Sequence, residues 1–145
     1  MESSEKPLGM EYIVLAVLLA AGLGFFFMSS GQEVRFCRRV FGGLVKGEPN
    51  VGGSIAWDRL KALDLDLGSA YAKLPPGERQ KFQQAFIQNF AVGFRQGQGQ
   101  LMAFTNWRME HDGSVAVDYP AKHKTLLFRV SETGKRQLEG IAWKQ

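Results

Sequence analysis

Near its amino terminus the chain has a long, uninterrupted apolar segment. No charged residue occurs from Tyr12 to Gln32, and residues 13–28 are apolar at every position, so this segment has no polar face. About 20 helical residues span about 30 Å, the thickness of a bilayer's hydrocarbon core. The pattern predicts a transmembrane helix over residues 12–31, after a short acidic tail over residues 1–11. A buried core helix or a cleavable signal peptide is the alternative, but a signal peptide begins with basic residues.

Beyond residue 31 apolar residues recur at helical spacing. This stripe consists of Val34, Cys37, Val40, Phe41, Leu44 and Val45. Three arginines fall largely off the stripe, which is the pattern of an amphipathic helix. A glycine-rich break follows, so residues 32–53 are predicted to form a juxtamembrane amphipathic helix and linker. Ser54 is a favourable cap for a short helix that would carry Ile55, Leu60 and Leu63, and a second short helical turn is expected near Tyr71.

The most regular pattern in the chain places phenylalanine at every fourth position. These residues are Phe82, Phe86, Phe90 and Phe94. The preceding Pro75 and Pro76 suit a helix start, because the missing N–H of proline would be unpaired there anyway. The pattern predicts a helix over residues 78–95 with one face nearly all phenylalanine. Such a face needs a broad apolar surface to lie on.

After residue 100 the hydrophobic period changes to two, which is typical of strands. Four strands are predicted, over residues 101–111, 115–119, 125–131 and 136–144, joined by short turns. They would form an antiparallel meander. Helices followed by such a sheet define an α+β domain over residues 54–145, in which the phenylalanine helix covers one face of the four-stranded antiparallel sheet.

The charge distribution predicts the side of the membrane on which this domain lies. Eighteen basic and fourteen acidic residues give the chain a net charge of +4. Arg35, Arg38, Arg39 and Lys46 follow the apolar segment, whereas Lys6 alone precedes it, which predicts a cytoplasmic carboxyl-terminal domain. The part after the segment carries a net charge of about +6, which suits an anionic bilayer surface. Its basic residues are scattered among acidic ones, so nucleic acid is not an expected partner.

Candidate chemistry is sparse in the sequence. The single cysteine excludes an internal disulfide, and no Cys/His cluster has metal-ligand spacing, so we expect neither a metal site nor a cofactor. His111 and His123 are predicted to be surface turn residues. Cys37 suits a small core residue, with a lowered-pKa thiol or a lipidation site as alternatives.

The closing segments resemble a known superfamily. Residues 126–135, with sequence LLFRVSETGK, and the following LEGI at 138–141 look like the last hairpin of the nuclear transport factor two-like superfamily. Arg136 stands where that pattern has tryptophan, and Trp143 comes later. The segment LPPGERQKF at 74–82 is also similar to the toluene-tolerance and Tim44-like families. The resemblance covers about residues 41–145 and implies a cone-shaped fold, with a curved sheet wrapped on helices around an apolar pocket.

The superfamily contains enzymes, ligand carriers and assembly modules, so its fold alone names no function. The pocket for a lipid or another apolar ligand would be lined by Phe82, Phe86, Phe90, Trp107 and Phe128. These side chains would equally suit a solid core. An isomerase-like enzyme would use Asp118 with Tyr119 or Tyr71. Asp118 and Tyr119 are adjacent on a strand and point to opposite faces, which disfavours this third alternative.

The preferred hypothesis is a non-enzymatic, single-pass module that assembles a membrane protein complex. Ala16, Ala20 and Gly24 recur every fourth residue within the predicted span, a spacing that lets two helices approach closely. They predict contact with other membrane subunits or with a second copy of the chain. Binding of a lipid or another apolar small molecule is the alternative function.

Overall fold

The computed structural model of the chain describes residues 31–97, 99–131 and 134–145, and residues Glu33–Gln145 form one unit. Helix α1 occupies residues 31–46, and the other α-helices are α2 (Leu67–Ala72) and α3 (Pro76–Gln96). The strands are β1 (Lys61–Ala62), β2 (Leu65–Asp66), β3 (Thr105–Met109), β4 (Val115–Tyr119), β5 (Lys124–Val130) and β6 (Leu138–Trp143). Short 3-10 helices occupy Pro49–Ser54, Leu101–Ala103 and Pro120–Lys122. The predicted α+β class is confirmed.

Helix α1 supplies the centre of the core. Its residues Cys37, Val40, Phe41 and Leu44 lie on one helical face and are all buried. The Phe41 side chain is 1% exposed, and five aromatic rings surround it at centroid distances of 4.9 to 6.3 Å. Those rings belong to Phe90, Phe94, Phe104, Trp107 and Phe128. The core of the domain is therefore built around one ring of α1 and not around the phenylalanine face of α3.

The sheet has six strands in the order β2-β1-β6-β5-β4-β3. Strand β1 runs parallel to β6, and every other neighbouring pair is antiparallel. The prediction of four antiparallel strands is wrong, because the small β1–β2 hairpin adds two strands beside β6. Each of these strands is only two residues long, too short to show a period of two. Their turn, Leu63-Asp64, also lacks the glycine or asparagine that usually identifies a two-residue hairpin.

The short helix expected after Ser54 is absent from the described residues. The chain instead forms the 3-10 helix Pro49–Ser54, and Ile55 then makes an isolated parallel bridge to Leu138. Of the apolar residues assigned to that helix, Ile55 and Leu60 are buried, whereas Leu63 lies in the β1–β2 turn and is partly exposed. Tertiary contacts override the weak local signal in this segment.

The two faces of the sheet differ in what covers them. Leu126 and Phe128 of β5 are buried on the face towards the helices, which we call the inner face. Leu127 and Arg129 alternate with them and lie on the outer face. The inner face contacts the phenylalanines of α1 and α3, so it is the face on which an aromatic-lined cavity can form.

Among the described residues, the structure contains no helix long and apolar enough to cross a bilayer. The predicted transmembrane segment, residues 12–31, lies outside the described residues except for Gly31. The helix prediction for that segment therefore stays a prediction.

Candidate ligand-binding cleft

An apolar cleft of about 370 Å³ lies where α3 faces the inner side of β5 and β6. Helix α3 contributes Phe90 and Phe94, and β5 and β6 contribute Leu126 and Ile141. Phe41 of α1 also lines the cleft. These residues alternate towards the inner face on the strands and recur every fourth residue on α3, so regular secondary structure aligns them.

One of the α3 positions that line the cleft has no side chain. Gly93 lies in the interior of α3 and lines the cleft, and a Cβ atom built on it meets no atom within 4 Å. Glycine in a helix interior is destabilising by about 0.5–1 kcal/mol relative to alanine. Neither backbone conformation nor close packing requires glycine here. The absent side chain leaves space beside Phe90 and Phe94.

Two exposed apolar side chains border the cleft. Trp143 at the end of β6 is 37% exposed, and Leu63 in the β1–β2 turn is 43% exposed. Leu63 has φ +51° and Asp64 has φ +70°, so both occupy the left-handed region. That region is unfavourable for leucine by roughly 1–2 kcal/mol. A hydrogen bond from the Leu63 N–H to the Ile141 carbonyl, 2.8 Å long, holds the turn against β6.

Polar groups are few in the cleft and at its rim. Asn89 of α3 is the one polar side chain among the described residues that line it, and none of those lining residues is titratable. At the rim, the Lys124 ammonium group lies 5.3 Å from the centroid of the Trp143 ring, a cation–π contact. The site therefore offers an apolar interior with one amide and one cation at its border.

The structure separates the five residues predicted to line a ligand pocket. Phe90 lines the cleft. Phe82 and Phe86 instead pack against Trp57, at centroid distances of 6.4 and 5.5 Å. Trp107 and Phe128 stack on each other at 5.6 Å in the core.

The predicted helix-contact residues Ala16, Ala20 and Gly24 lie outside the described residues. The predicted lining residues did not include Phe94, Leu63 and Gly93, which line the cleft. Phe94 continues the spacing of Phe90, which was a usable signal. The other two depend on how the β1–β2 hairpin and β6 face α3, and no local pattern predicts that arrangement.

Asp118, the base of the enzyme alternative, does not line the cleft. Its carboxylate lies on the outer face and accepts hydrogen bonds from Asn106 Nδ2, Arg108 Nη1 and Thr125 Oγ1, at 3.1, 3.0 and 2.9 Å. The bonds from Asn106, Thr125 and Arg108 lower the pKa of Asp118 below its ordinary value. A general base in an apolar pocket needs the opposite shift.

The two tyrosines of the enzyme alternative are also engaged in packing. Tyr119 points to the inner face and stacks on Phe104 at 4.5 Å, as expected from its alternation with Asp118. The Tyr71 hydroxyl accepts a hydrogen bond from Gln83 Nε2, 3.1 Å long, beside Trp57. These contacts place no tyrosine hydroxyl opposite a carboxylate among the described residues.

The remaining candidate groups fit structural roles. Cys37 is fully buried. Its burial, and to a smaller extent the nearby Glu33 carboxylate, raise the pKa of its thiol to about 12. This shift is opposite in direction to that of a lowered-pKa thiol. His111 and His123 are exposed. Within the described part of the chain, no group of three His, Cys, Asp or Glu side chains is arranged to hold a metal ion.

Two further depressions have mixed linings. One, of about 500 Å³, lies on the outer face between the β1–β2 hairpin and Arg129, and carries Asp66, Asp112 and Glu139. The other, of about 570 Å³, lies between α1 and β3 beside Met102. Neither combines an apolar interior with aligned aromatic rings, so the cleft is the strongest candidate for ligand binding.

Comparison of the chain with protein-family models, with curated proteins and with solved structures finds no match in any of the three. The resemblance to the nuclear transport factor two-like superfamily therefore stays a prediction.

Proposed function

We propose that this domain binds an apolar small molecule or acyl chain in the cleft between α3 and β5–β6. The chain would do so while attached to a membrane by its predicted amino-terminal span. The observation that carries the proposal is the cleft itself, with its lining of aromatic and aliphatic side chains. Its volume of about 370 Å³ lies within the range of small-molecule sites, about 300–1,000 Å³.

Two features support binding over incomplete packing. A phenylalanine face with an uncovered end is unfavourable unless something fills it, because apolar area left in water forfeits about 25 cal/mol per Å². Leu63 is also kept in a strained conformation at the border of the cleft, and strained residues cluster at ligand sites. An apolar ligand would cover both Leu63 and Trp143.

The proposal is tested by quenching tryptophan fluorescence with a dodecanol brominated at its mid-chain carbon. The full-length protein is held in amphipol, and a bound bromine quenches Trp143 on contact. We expect saturable quenching of the wild type and none beyond background in Gly93→Leu, whose side chain would project from α3 into the space that the probe needs. Gly93→Ala is the matched control and should still bind. Equal saturable quenching of the wild type and Gly93→Leu would exclude the cleft.

Trp143→Phe identifies the tryptophan that responds. Trp57 and Trp107 lie in packed surroundings and do not line the cleft. The saturable quenching should therefore disappear in this variant while the probe still binds. Persistence of the full signal would mean that the bromine contacts another tryptophan, which contradicts the proposed site.

A second candidate is assembly of a membrane protein complex. The observation in its favour is Met102, which is 91% exposed beside α1, next to the edge strand β3. Exposed apolar side chains and free strand edges are common contact points for partner proteins. Native mass spectrometry of the full-length protein, extracted gently from its own membrane, tests this. A polypeptide bound to the wild type at fixed stoichiometry should be lost in the Met102→Glu variant. It should be kept in the neighbouring control variant, Gln100→Glu. Unchanged binding of that polypeptide to Met102→Glu would contradict a role for this surface.

A further inference from the structure

We propose that Lys124 makes the cleft selective for amphiphiles with an anionic head group, so that the ligand class is a single apolar chain ending in a carboxylate or phosphate. This inference rests on the proposed function and specifies its ligand. It is carried by the position of one ammonium group relative to Trp143 and by the chemistry of the residues around it.

Lys124 lies on the same side of the sheet as the cleft. It begins β5 two residues before Leu126, so the two side chains point to the same face. Leu126 and its cross-strand partner Trp143 both line the cleft. The Lys124 ammonium lies over the Trp143 ring at 5.3 Å, which places this cation at the border of the apolar surface.

No carboxylate neutralises this cation within the described part of the chain. Asp118, six residues earlier, lies on the outer face and is held by three donors. Glu110 pairs with Arg108 and Lys144. Asp64 belongs to the outer-face depression. Lys124 makes a cation–π contact and no ion pair with any described acidic residue, which leaves its charge available to a ligand.

The arrangement fits an amphiphile better than an uncharged or cationic molecule. An apolar chain would occupy the space beside Phe94 and Gly93, where no lining residue is charged. An anionic head would then meet the Lys124 ammonium at the rim, in water, where ion pairs are worth up to about 1 kcal/mol. A cationic head group would be repelled by the same charge.

Three mid-chain brominated probes with the same dodecyl chain test the inference. They end in a carboxylate, an alcohol and a trimethylammonium group, and each is titrated into the full-length protein while Trp143 quenching is followed. We expect the carboxylate to bind about three- to fivefold more tightly than the alcohol at low salt, and the ammonium probe to bind most weakly. The preference should shrink as salt screens the exposed charge.

Variants at two lysines test whether the preference for the carboxylate probe depends on Lys124. Lys124→Gln should make the carboxylate and the alcohol equivalent, whereas Lys124→Arg should keep the preference. Lys122→Gln is the matched control, because Lys122 is also exposed, whereas the cation over the Trp143 ring at the cleft border belongs to Lys124. A carboxylate preference that survives Lys124→Gln, or equal binding of both probes to the wild type, would overturn the inference. Alcohol binding that is unaffected by Gly93→Leu would instead refute the proposed function.

A final arm distinguishes two sources of the same chemistry. Vesicles of mid-chain brominated phosphatidylglycerol are compared with the free brominated carboxylate. Quenching by the vesicles, lost in Gly93→Leu, identifies the acyl chain of an anionic lipid, and quenching by the carboxylate alone identifies a free fatty acid. Either result supports the anionic amphiphile, and quenching by neither overturns it.

Discussion

The two halves of α3 carry the same phenylalanine spacing and meet different partners. In the first half, Phe82 and Phe86 pack against the buried indole of Trp57, whose Nε1 donates a 2.9 Å hydrogen bond to the Gly52 carbonyl. In the second half, Phe90 and Phe94 border a cleft of about 370 Å³. One end of the helix is closed by an aromatic side chain, and the other is left open.

This difference shows what a helical pattern decides and what it leaves undecided. The spacing places all four rings on one side of α3. Whether that side becomes core or site depends on the facing residues and on gaps within the helix. At the closed end the indole of Trp57 fills the space beside the phenylalanine rings. At the open end Gly93 has no side chain to fill the corresponding space.

The largest expected effect comes from removing the indole that closes the first half. Trp57→Ala should lower the free energy of unfolding by about 3–5 kcal/mol, because a large buried side chain and its hydrogen bond are lost. Trp143→Ala, at the open end, should lower it by about 1 kcal/mol or less, since Trp143 is partly exposed. Urea denaturation of the full-length variants measures both. Equal losses would mean that both ends are packed alike.

A smaller effect of opposite sign is expected at the strained turn. Leu63→Gly should raise the free energy of unfolding by about 0.5–1 kcal/mol, because glycine adopts φ +51° without strain. It should also weaken binding of the brominated dodecanol, since a contact at the cleft border is lost.

Leu65→Gly is the matched control for this turn. Leu65 lies in the regular strand β2, where glycine is unfavourable by about 0.5–1 kcal/mol, so this variant should be less stable. Denaturation and quenching titrations are compared for the pair. If Leu63→Gly destabilises the chain as much as Leu65→Gly does, Leu63 is not held under strain.

The glycine within α3 should be replaceable without loss of stability. Gly93→Ala is expected to raise the free energy of unfolding by about 0.5–1 kcal/mol, because alanine favours the helix and the added methyl group meets no atom. Gly77→Ala, in the first turn of the same helix, is the control and should give a smaller gain. Thermal denaturation distinguishes them, and a loss of stability in Gly93→Ala would show that this space is already filled.

The last effect is confined to alkaline pH and concerns Cys37, which is buried on α1. Its thiol pKa is raised to about 12 in the folded chain, above the ordinary value of 9.0. The unfolded chain therefore loses the thiol proton first, and the free energy of unfolding should fall as the pH rises from 9.0 towards 12.

Cys37→Ala isolates this titration from that of the lysines and tyrosines. Denaturation at several alkaline pH values should show a shallower decline in the variant than in the wild type. Parallel declines would contradict the raised pKa. Thiol labelling of the native wild type at neutral pH should likewise be slow, because the thiolate is the reactive form.

The sequence predicts the long elements of this domain better than its short ones. The phenylalanine spacing predicts α3 to within two residues at each end, and the alternation in β4 predicts its bounds correctly. The β1–β2 hairpin was missed, because two-residue strands carry no period and their turn uses Leu63 and Asp64. That omission also made the sheet too small and wholly antiparallel in the prediction.

The candidate site was only partly predictable for a related reason. Phe90 was identified from its spacing, and Phe94 continues the same pattern. Trp107 and Phe128 were expected beside it, yet they stack on each other in the core. Aromatic residues of the inner face look alike in sequence, and only their tertiary surroundings separate filled space from open space. Trp107 and Phe128 stack on each other, whereas Phe90 and Phe94 lie beside Gly93, which has no side chain.

The most direct test of the central claim is a crystal structure of the full-length chain with the mid-chain brominated dodecanol, using the anomalous signal of bromine to locate the probe. The account predicts one bromine position in the cleft, between Phe94 and Trp143. Bromine found only on the outer face of the sheet or beside Met102 would contradict it, and so would an ordered cleft that remains empty at saturating probe.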